Sequence, residues 1–274
     1  ERSIFFSRGV FETVKKLVGE FDKLSSQICT VGLGIPGFSS KESGLVTNAN
    51  SMWLNDKPFK KDLEIALNRK VKLMNDANCF TLSEAVDGAG KDYQSIFGII
   101  VGTGFGGALS YKKEIIEGAN QIAGDWGHQP LPYPTKEEIE TKINCPSMNC
   151  GRPLCAEQFM SGIGFKDVFN QKHKTNFTSE EIAKLDLDGD PRANSELSLY
   201  EDRMARLLAV MIGIFDPDAI ILGGGMSNID RFYVNIPTLI PKYTFSNKVK
   251  TKVLKNFHGD SSGVRGAAWL WNNV

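Results

Sequence analysis

The run Ser95-Ile-Phe-Gly-Ile-Ile-Val-Gly102 is the strongest strand signal in the chain, and it passes through the glycine cluster Gly102-Thr-Gly-Phe-Gly-Gly107 into a second apolar run, Ala108-Leu-Ser-Tyr111. Two apolar runs joined by glycines predict a β-hairpin. Upstream, apolar residues at helical spacing over Phe11 to Leu24 lead into a strand-like stretch from Gln27 that is broken by Gly34-Ile-Pro-Gly37, and a helix feeding a strand opens an α/β unit. The alternation continues with a helix near Phe59 to Leu67, a short strand from Lys70 to Met74, and a helix from about Ala77 to Val86 that stops at Asp87-Gly88. Residues 118–158 are irregular and rich in Gly, Pro and Cys, too long a stretch for an idle connection. Helices then dominate from Ser161 to Phe215, a buried strand Ala219-Ile-Ile-Leu222 leads to Gly223-Gly-Gly225, and a last helix is expected over Ser262 to Trp271. A chain of 274 residues organised this way makes one large or two medium α/β domains.

Charge narrows the partners. Lys+Arg and Asp+Glu both number 32, so there is no long-range field to gather a polyanion, and nucleic acid is not an expected partner. No apolar run approaches the roughly 20 residues of a membrane span, and the opening residues do not form a signal peptide; a cytoplasmic protein without a membrane partner is expected. Of the five cysteines, Cys145, Cys150 and Cys155 crowd together while Cys29 and Cys79 stand singly. That clustering suggests a metal site in a reducing compartment rather than a disulfide framework.

Three constellations carry chemistry. Gly102-Thr103-Gly104 and Gly223-Gly224-Gly225 each follow a strand, where glycine lets backbone N–H groups face a phosphate without a Cβ in the way; together they suggest a nucleotide cleft, although either could merely tighten a turn. Neither has Walker A or dinucleotide-fingerprint spacing. Asn75-Asp76 lies where a strand gives way to a helix, the place where open α/β folds gather functional groups. Asp76 there is either a base that takes a hydroxyl proton during phosphoryl transfer or a helix N-cap. Gly124-Asp-Trp-Gly-His128 precedes Cys145, Cys150 and Cys155, an imidazole and three thiols that suit a closed, structural zinc site or are unpaired structural thiols.

Together these residues closely resemble the ROK family of sugar kinases and regulators. The resemblance spans nearly the whole chain and rests on Gly34-Ile-Pro-Gly37, Lys70 to Asn78, Gly102-Thr-Gly104, Gly124 to His128, Cys150-Gly-x3-Cys155-x-Glu157 and Gly223 to Asn228. Three further segments point to its fructokinase (manno/fructokinase) branch: Asn48 to Asn55, Ser83-Glu-Ala-Val-Asp-Gly88, and His258 to Trp271. The resemblance implies an actin/hexokinase-like (ribonuclease H-like) α/β fold of two domains. The smaller would span residues 1–94, joined by a C-terminal helix at 260–274, and the larger residues 95–259 with a zinc-binding loop. It implies ATP-dependent phosphorylation of a free hexose, fructose to fructose 6-phosphate, with Asp76 as catalytic base. Asn75, Asp76, Asp125, His128 and Glu157 would hold the sugar, Gly102, Thr103 and Gly104 would face the ATP phosphates, and Gly223, Gly224 and Gly225 would lie under the adenosine. His128, Cys145, Cys150 and Cys155 would bind a structural Zn²⁺, Mg²⁺ would accompany the nucleotide, and the protein would be a homodimer. The alternatives within the resemblance are a sugar-responsive regulator and a catalytically silent sugar-binding protein.

The chain departs from the family pattern in three places. The opening Asp-x-Gly-Gly-Thr strand and hairpin are not found in these residues, so the pattern is joined some ~30 or more residues in, by ordinary βαβ lengths. Asp125 stands where the family usually has Glu. Met148 stands where it has its first zinc thiolate and Leu154 where it has Gly, which leaves Cys145 to supply the missing sulfur, a thioether being a poor zinc ligand.

Overall fold

The computed structural model describes residues 2–49, 51–141, 143–146 and 150–271, with side chains from Gly9 onward, and its apolar residues gather into two main cores. The smaller core is built from α1 (Arg2–Ser25), β1 (Val31–Ile35), β2 (Phe38–Ser39), β3 (Val46–Thr47), α2 (Phe59–Leu67) and β4 (Val71–Asn75). Val10, Phe11, Val14 and Val18 put one face of α1 against Leu54, Phe59 and Leu63, the stripe that the helical spacing requires. β1 and β4 pair in parallel with Ile35 opposite Asn75, so β4 ends where α3 (Asp76–Val86) begins.

The larger core surrounds a five-stranded sheet of order β7-β6-β5-β8-β9. β5 (Ser95–Val101) and β6 (Phe105–Tyr111) form the expected hairpin, with Val101 opposite Phe105. β7 (Glu114–Ile116) extends it. On the other side β5 pairs in parallel with β8 (Ala219–Gly223), and β8 with β9 (Lys252–Lys255). Because Ile100 lies opposite Gly223, both glycine clusters emerge side by side at the carboxyl ends of parallel strands, where open α/β sheets bind ligands. The helices α4 (Lys136–Glu140), α5 (Ala156–Met160), α6 (Gly162–His173), α7 (Ser179–Leu187), α8 (Pro191–Phe215) and α9 (Arg231–Leu239) complete this half. Within the irregular segment, α4 is tied to α8 by Glu138, which is buried and accepts from Arg203 at 2.8 Å and Arg206 at 2.7 Å.

The last helix, α10 (Ser262–Trp269), packs on α3 and β1. The two helices nearly touch: a Cβ on Gly266 would lie 1.7 Å from the Cys79 carbonyl oxygen, and one on Gly32 would lie 1.9 Å from that of Ala267. Polar groups seal the far end. Glu84, fully buried, accepts from the N–H groups of Ala89 (2.9 Å) and Phe257 (3.0 Å) and from the Ser262 hydroxyl (2.8 Å). Asp87 meets His258 Nε2 at 3.0 Å and also pairs with Arg265. Two of the segments that suggested a fructokinase therefore spend these polar side chains on each other. In the third, Asn55 closes its own loop, accepting from Ala49 N at 2.8 Å and donating to Ala49 O at 3.0 Å; Asn50 of that segment lies outside the described residues.

Candidate functional site

Asn75 and Asp76 sit at the junction of β4 and α3, and the structure divides their duties. Asn75 is the N-cap, its side chain accepting from the N–H groups of Ala77 (2.9 Å) and Asn78 (3.3 Å). Asp76 is the first helical residue, and its Oδ1 accepts from Ala77 N at 2.9 Å. The N-cap reading of Asp76 is thereby corrected: its neighbour satisfies the helix end, and its own carboxylate keeps access to solvent. Many protein atoms nevertheless surround that carboxyl, and desolvation pushes its pKa above the ordinary value, with the Asp125 charge pushing the same way against the backbone hydrogen bonds.

Asp125 comes from the irregular segment, and aromatic packing fixes the loop that carries it. Trp126 is buried between Phe97 (4.8 Å between ring centroids) and Phe105 (5.0 Å). Gly127 lies on the Phe105 backbone, where a Cβ would be 1.7 Å from the carbonyl oxygen, and Gly124 has φ +87° against Ala108. With the tryptophan turned inward, the flanking Asp125 and His128 retain solvent access. Desolvation raises the Asp125 pKa, opposed by the charges of His128 and Arg152.

The same loop is stitched to the start of α5. Glu157 N–H donates to Gly127 O at 2.9 Å and Ala156 N–H to Gln129 O at 2.8 Å. The Glu157 carboxylate, also buried, accepts from Phe105 N at 3.2 Å through Oε2 and meets Cys145 Sγ at 3.7 Å through Oε1.

His128, Cys145, Cys150 and Cys155 bring one ligand atom each within 4.8 Å of one another. Cys155 Sγ lies 3.5 Å from both His128 Nδ1 and Cys150 Sγ. Tetrahedral zinc with bonds of about 2.3 Å to sulfur separates its ligand atoms by about 3.8 Å, so this cluster has the size and the donor set that such an ion requires. Burial raises the Cys155 thiol to about 11, with Cys150 adding to the effect. At Cys150 burial is outweighed by hydrogen bonds from the Arg152 backbone and neighbouring thiols, and its pKa falls below the ordinary value. Leu154, in the family's glycine position, has φ +54°, the left-handed region that glycine enters without strain. Met148 lies outside the described residues.

Behind the hairpin turn, a cavity of about 700 Å³ is lined by Gly102 and Thr103, by Gly225, Met226 and Asn228, and by residues of α6 and α7. The two glycine clusters do meet, but their members differ. Gly102 has open space on its Cβ side, and Gly225 has only Glu180 Oε1, at 4.0 Å. Gly223 and Gly224 do not line the cavity: a Cβ on Gly223 would lie 2.4 Å from the Phe80 ring and one on Gly224 2.5 Å from Val101 O. On their Cβ sides these two glycines let the end of β8 lie against β5 and α3. Gly104 turns the other way, its Cβ position 3.4 Å from Glu157 Oε2.

Reading the sequence missed the α7 wall. Thr178 and Glu181 form a capping box, which leaves Glu180 without a side-chain partner among the described residues, facing the cavity. The Thr-x-x-Glu spacing at 178–181 was the available signal.

Comparison with known proteins bears on both fold and site. The family model described as the ROK family matches residues 6–274. The chain is 37% identical over 259 residues to the N-acetyl-D-glucosamine kinase of Vibrio cholerae, covering 94% of this chain and 86% of that protein. It is 35% identical over 261 residues to the enzyme of the same name from Haemophilus influenzae, again covering 94% and 86%. Among solved structures, the ROK hexokinase from Thermus thermophilus superposes with a TM-score of 0.81 at 24% identity, over 95% of this chain and 85% of that one. A ROK family glucokinase from Streptomyces griseus in complex with glucose and AMPPNP gives 0.78 at 22% identity, over 96% and 87%. The fold is therefore the expected actin/hexokinase-like α/β architecture. These relatives are N-acetyl-D-glucosamine kinases and not the fructokinases that the sequence suggested; the segments behind that expectation hold the chain together at Glu84, Asp87 and Asn55.

Proposed function

The chain belongs to the ROK family, and from that premise we propose that it is a sugar kinase transferring the γ-phosphoryl group of ATP to a free hexose, N-acetylglucosamine rather than fructose. The observation that carries the reading is the turn at residues 102–104, one face of which lines the 700 Å³ cavity while the other touches Glu157. A nucleotide seated behind that turn and a sugar held by Asp125, His128 and Glu157 in front of it would meet at its edge. The choice of sugar rests on the relatives' names.

In this mechanism Asp76 orients the sugar's primary hydroxyl and accepts its proton as the oxygen bonds to phosphorus and the bond to the departing ADP breaks. Little else is required of the protein in phosphoryl transfer beyond position and charge. A carboxyl whose pKa is raised by its surroundings is better matched to proton transfer near neutral pH than an ordinary one. Asn75 donates from Nδ2 to the Gly37 carbonyl oxygen at 3.4 Å, which leaves its second amide hydrogen for a sugar hydroxyl. Glu180, unpartnered beside Gly225, is placed to accept from hydroxyls of the nucleoside. Mg²⁺ bound with ATP neutralises phosphate charge. His128, Cys145, Cys150 and Cys155 would hold zinc, ordering the loop that presents Asp125 without taking part in the reaction. The two cores correspond in this reading to two lobes, residues 1–94 with 260–274 and residues 95–259.

Coupled ADP-release assays with N-acetylglucosamine, glucose, mannose and fructose test the assignment. N-acetylglucosamine should give the highest kcat/KM; preference for fructose would restore the branch suggested by the sequence, and no turnover with any sugar would leave a silent sugar-binding protein. Metal analysis should find about one zinc per chain, the stoichiometry of a four-ligand site, and a Cys150→Ser variant should lose it.

A further inference from the structure

Beyond the groups that would touch substrate, the two walls of the sugar cleft are joined by a side chain in neither wall. Gln121 donates from Nε2 to Ser39 O at 3.1 Å and accepts at Oε1 from Lys41 N at 3.2 Å. Its amide is thus read from both ends by the backbone of the β2–β3 loop, as an added strand would be. Beside it Lys41 Nζ meets Glu117 Oε2 at 2.5 Å. Each end of the bridge adjoins a candidate sugar residue. On one side Ser39 follows Gly37, whose carbonyl accepts from Asn75, next to Asp76. On the other, Gln121 opens the turn in which Asp125 N–H donates to Ile122 O at 3.1 Å. Gln121 has φ +59°, a conformation that a non-glycine residue adopts at a cost, so the bonds it makes hold it there.

We infer that Gln121 is a positioning residue: its amide latches the β2–β3 loop of the smaller core to the Asp125 loop of the larger one and sets the affinity of the cleft for sugar. The inference rests on the hexose reading above. Only an amide fits the two partners. A carboxylate could accept from Lys41 N but would face the Ser39 carbonyl with like polarity, and alanine reaches neither.

The test compares Gln121→Ala and Gln121→Glu with wild type in two arms. In steady-state kinetics, loss of the two hydrogen bonds should raise KM for N-acetylglucosamine by about tenfold, with KM for ATP and kcat within about twofold, the pattern of lost uniform binding to one substrate. Gln121→Glu should be no better than Gln121→Ala. Hydrogen exchange, followed without any sugar, should show the Lys41 amide protected in wild type and released in Gln121→Ala. An unchanged sugar KM, or sugar KM, ATP KM and melting temperature all moving together, would overturn the positioning role. A Lys41 amide that exchanges as fast in wild type as in Gln121→Ala would overturn the latch itself. If wild type turns over no sugar, the kinase reading fails, and the exchange arm alone decides the latch.

Discussion

The join between α3 and α10 is buried and polar, whereas the bridge from residues 39–41 to residues 117–121 lies open to water. At the first, Glu84 has no exposed surface and gives its oxygens to donors from three directions. At the second, Lys41 and Glu117 keep 65% and 37% of their side chains exposed. A buried carboxylate cannot leave its donors without stranding them, so that join is permanent on the timescale of turnover. An exposed pair exchanges with water at little cost. One contact fixes where α3 points; the other ties two surface loops beside its head.

The largest expected effect separates what α3 carries from how it is held. Asp76→Asn should lower turnover by about 10²–10⁴-fold, the usual worth of a general base, while leaving the Glu84 join intact. Because the folded pKa of Asp76 lies above its ordinary value, its ionised form costs stability once pH exceeds that ordinary value, and neutral asparagine removes the cost. The variant should therefore melt higher at pH 7, with little difference at a pH where wild-type Asp76 is protonated. Turnover close to wild type would remove Asp76 from the mechanism.

Next in size is Glu84→Gln, which turns an amide NH₂ either toward the backbone N–H groups of Ala89 and Phe257, which can only donate, or toward the Ser262 hydroxyl, and leaves fewer acceptor sites for all three. Urea denaturation should show a loss of about 1–3 kcal/mol with an unchanged slope; a loss near zero would mean that the join is not the fixed one.

Asp87→Ala, which frees His258 and Arg265, should cost less, about 1 kcal/mol or below for a partly exposed pair. Arg265 and His258 outweigh burial and bring the Asp87 pKa below its ordinary value, so this contribution is present at neutral pH and fades as pH falls through the lowered folded value. The difference between wild type and variant should close in the same window. Smallest of all, Lys41→Ala should change stability by about 0.5 kcal/mol or less, and the difference should vanish at high salt. A larger effect there would erase the contrast between the two joins.

Much of this was legible in the residues. The hairpin at 95–111, β8 and α3 announce themselves because an apolar run meets glycine or aspartate at its end. β9 was not read, since Lys-Val-Leu-Lys holds only two apolar residues and exists as a strand only because β8 offers it an edge. The cysteine and histidine spacing pointed to the one four-ligand group that the described residues bring together. Asn75 and Asp76 were both legible as candidates at the strand–helix junction, but which of them caps the helix depends on a φ/ψ pair and not on residue type. The Thr-x-x-Glu spacing could announce the start of α7, but Ser179, Glu180 and Lys184 face the cavity from a separate helix, and nothing local in the sequence marks that meeting. The segments that suggested a fructokinase teach a related lesson: residues that join α10 to α3 can look as distinctive as residues that touch a ligand.

The near contact of Gly266 with Cys79 ties α10 to α3 backbone against backbone. With a carbonyl oxygen occupying the space where a side chain would stand, any residue larger than glycine at position 266 would push the two helices apart and carry the head of α3, with Asn75 and Asp76, out of register with β1.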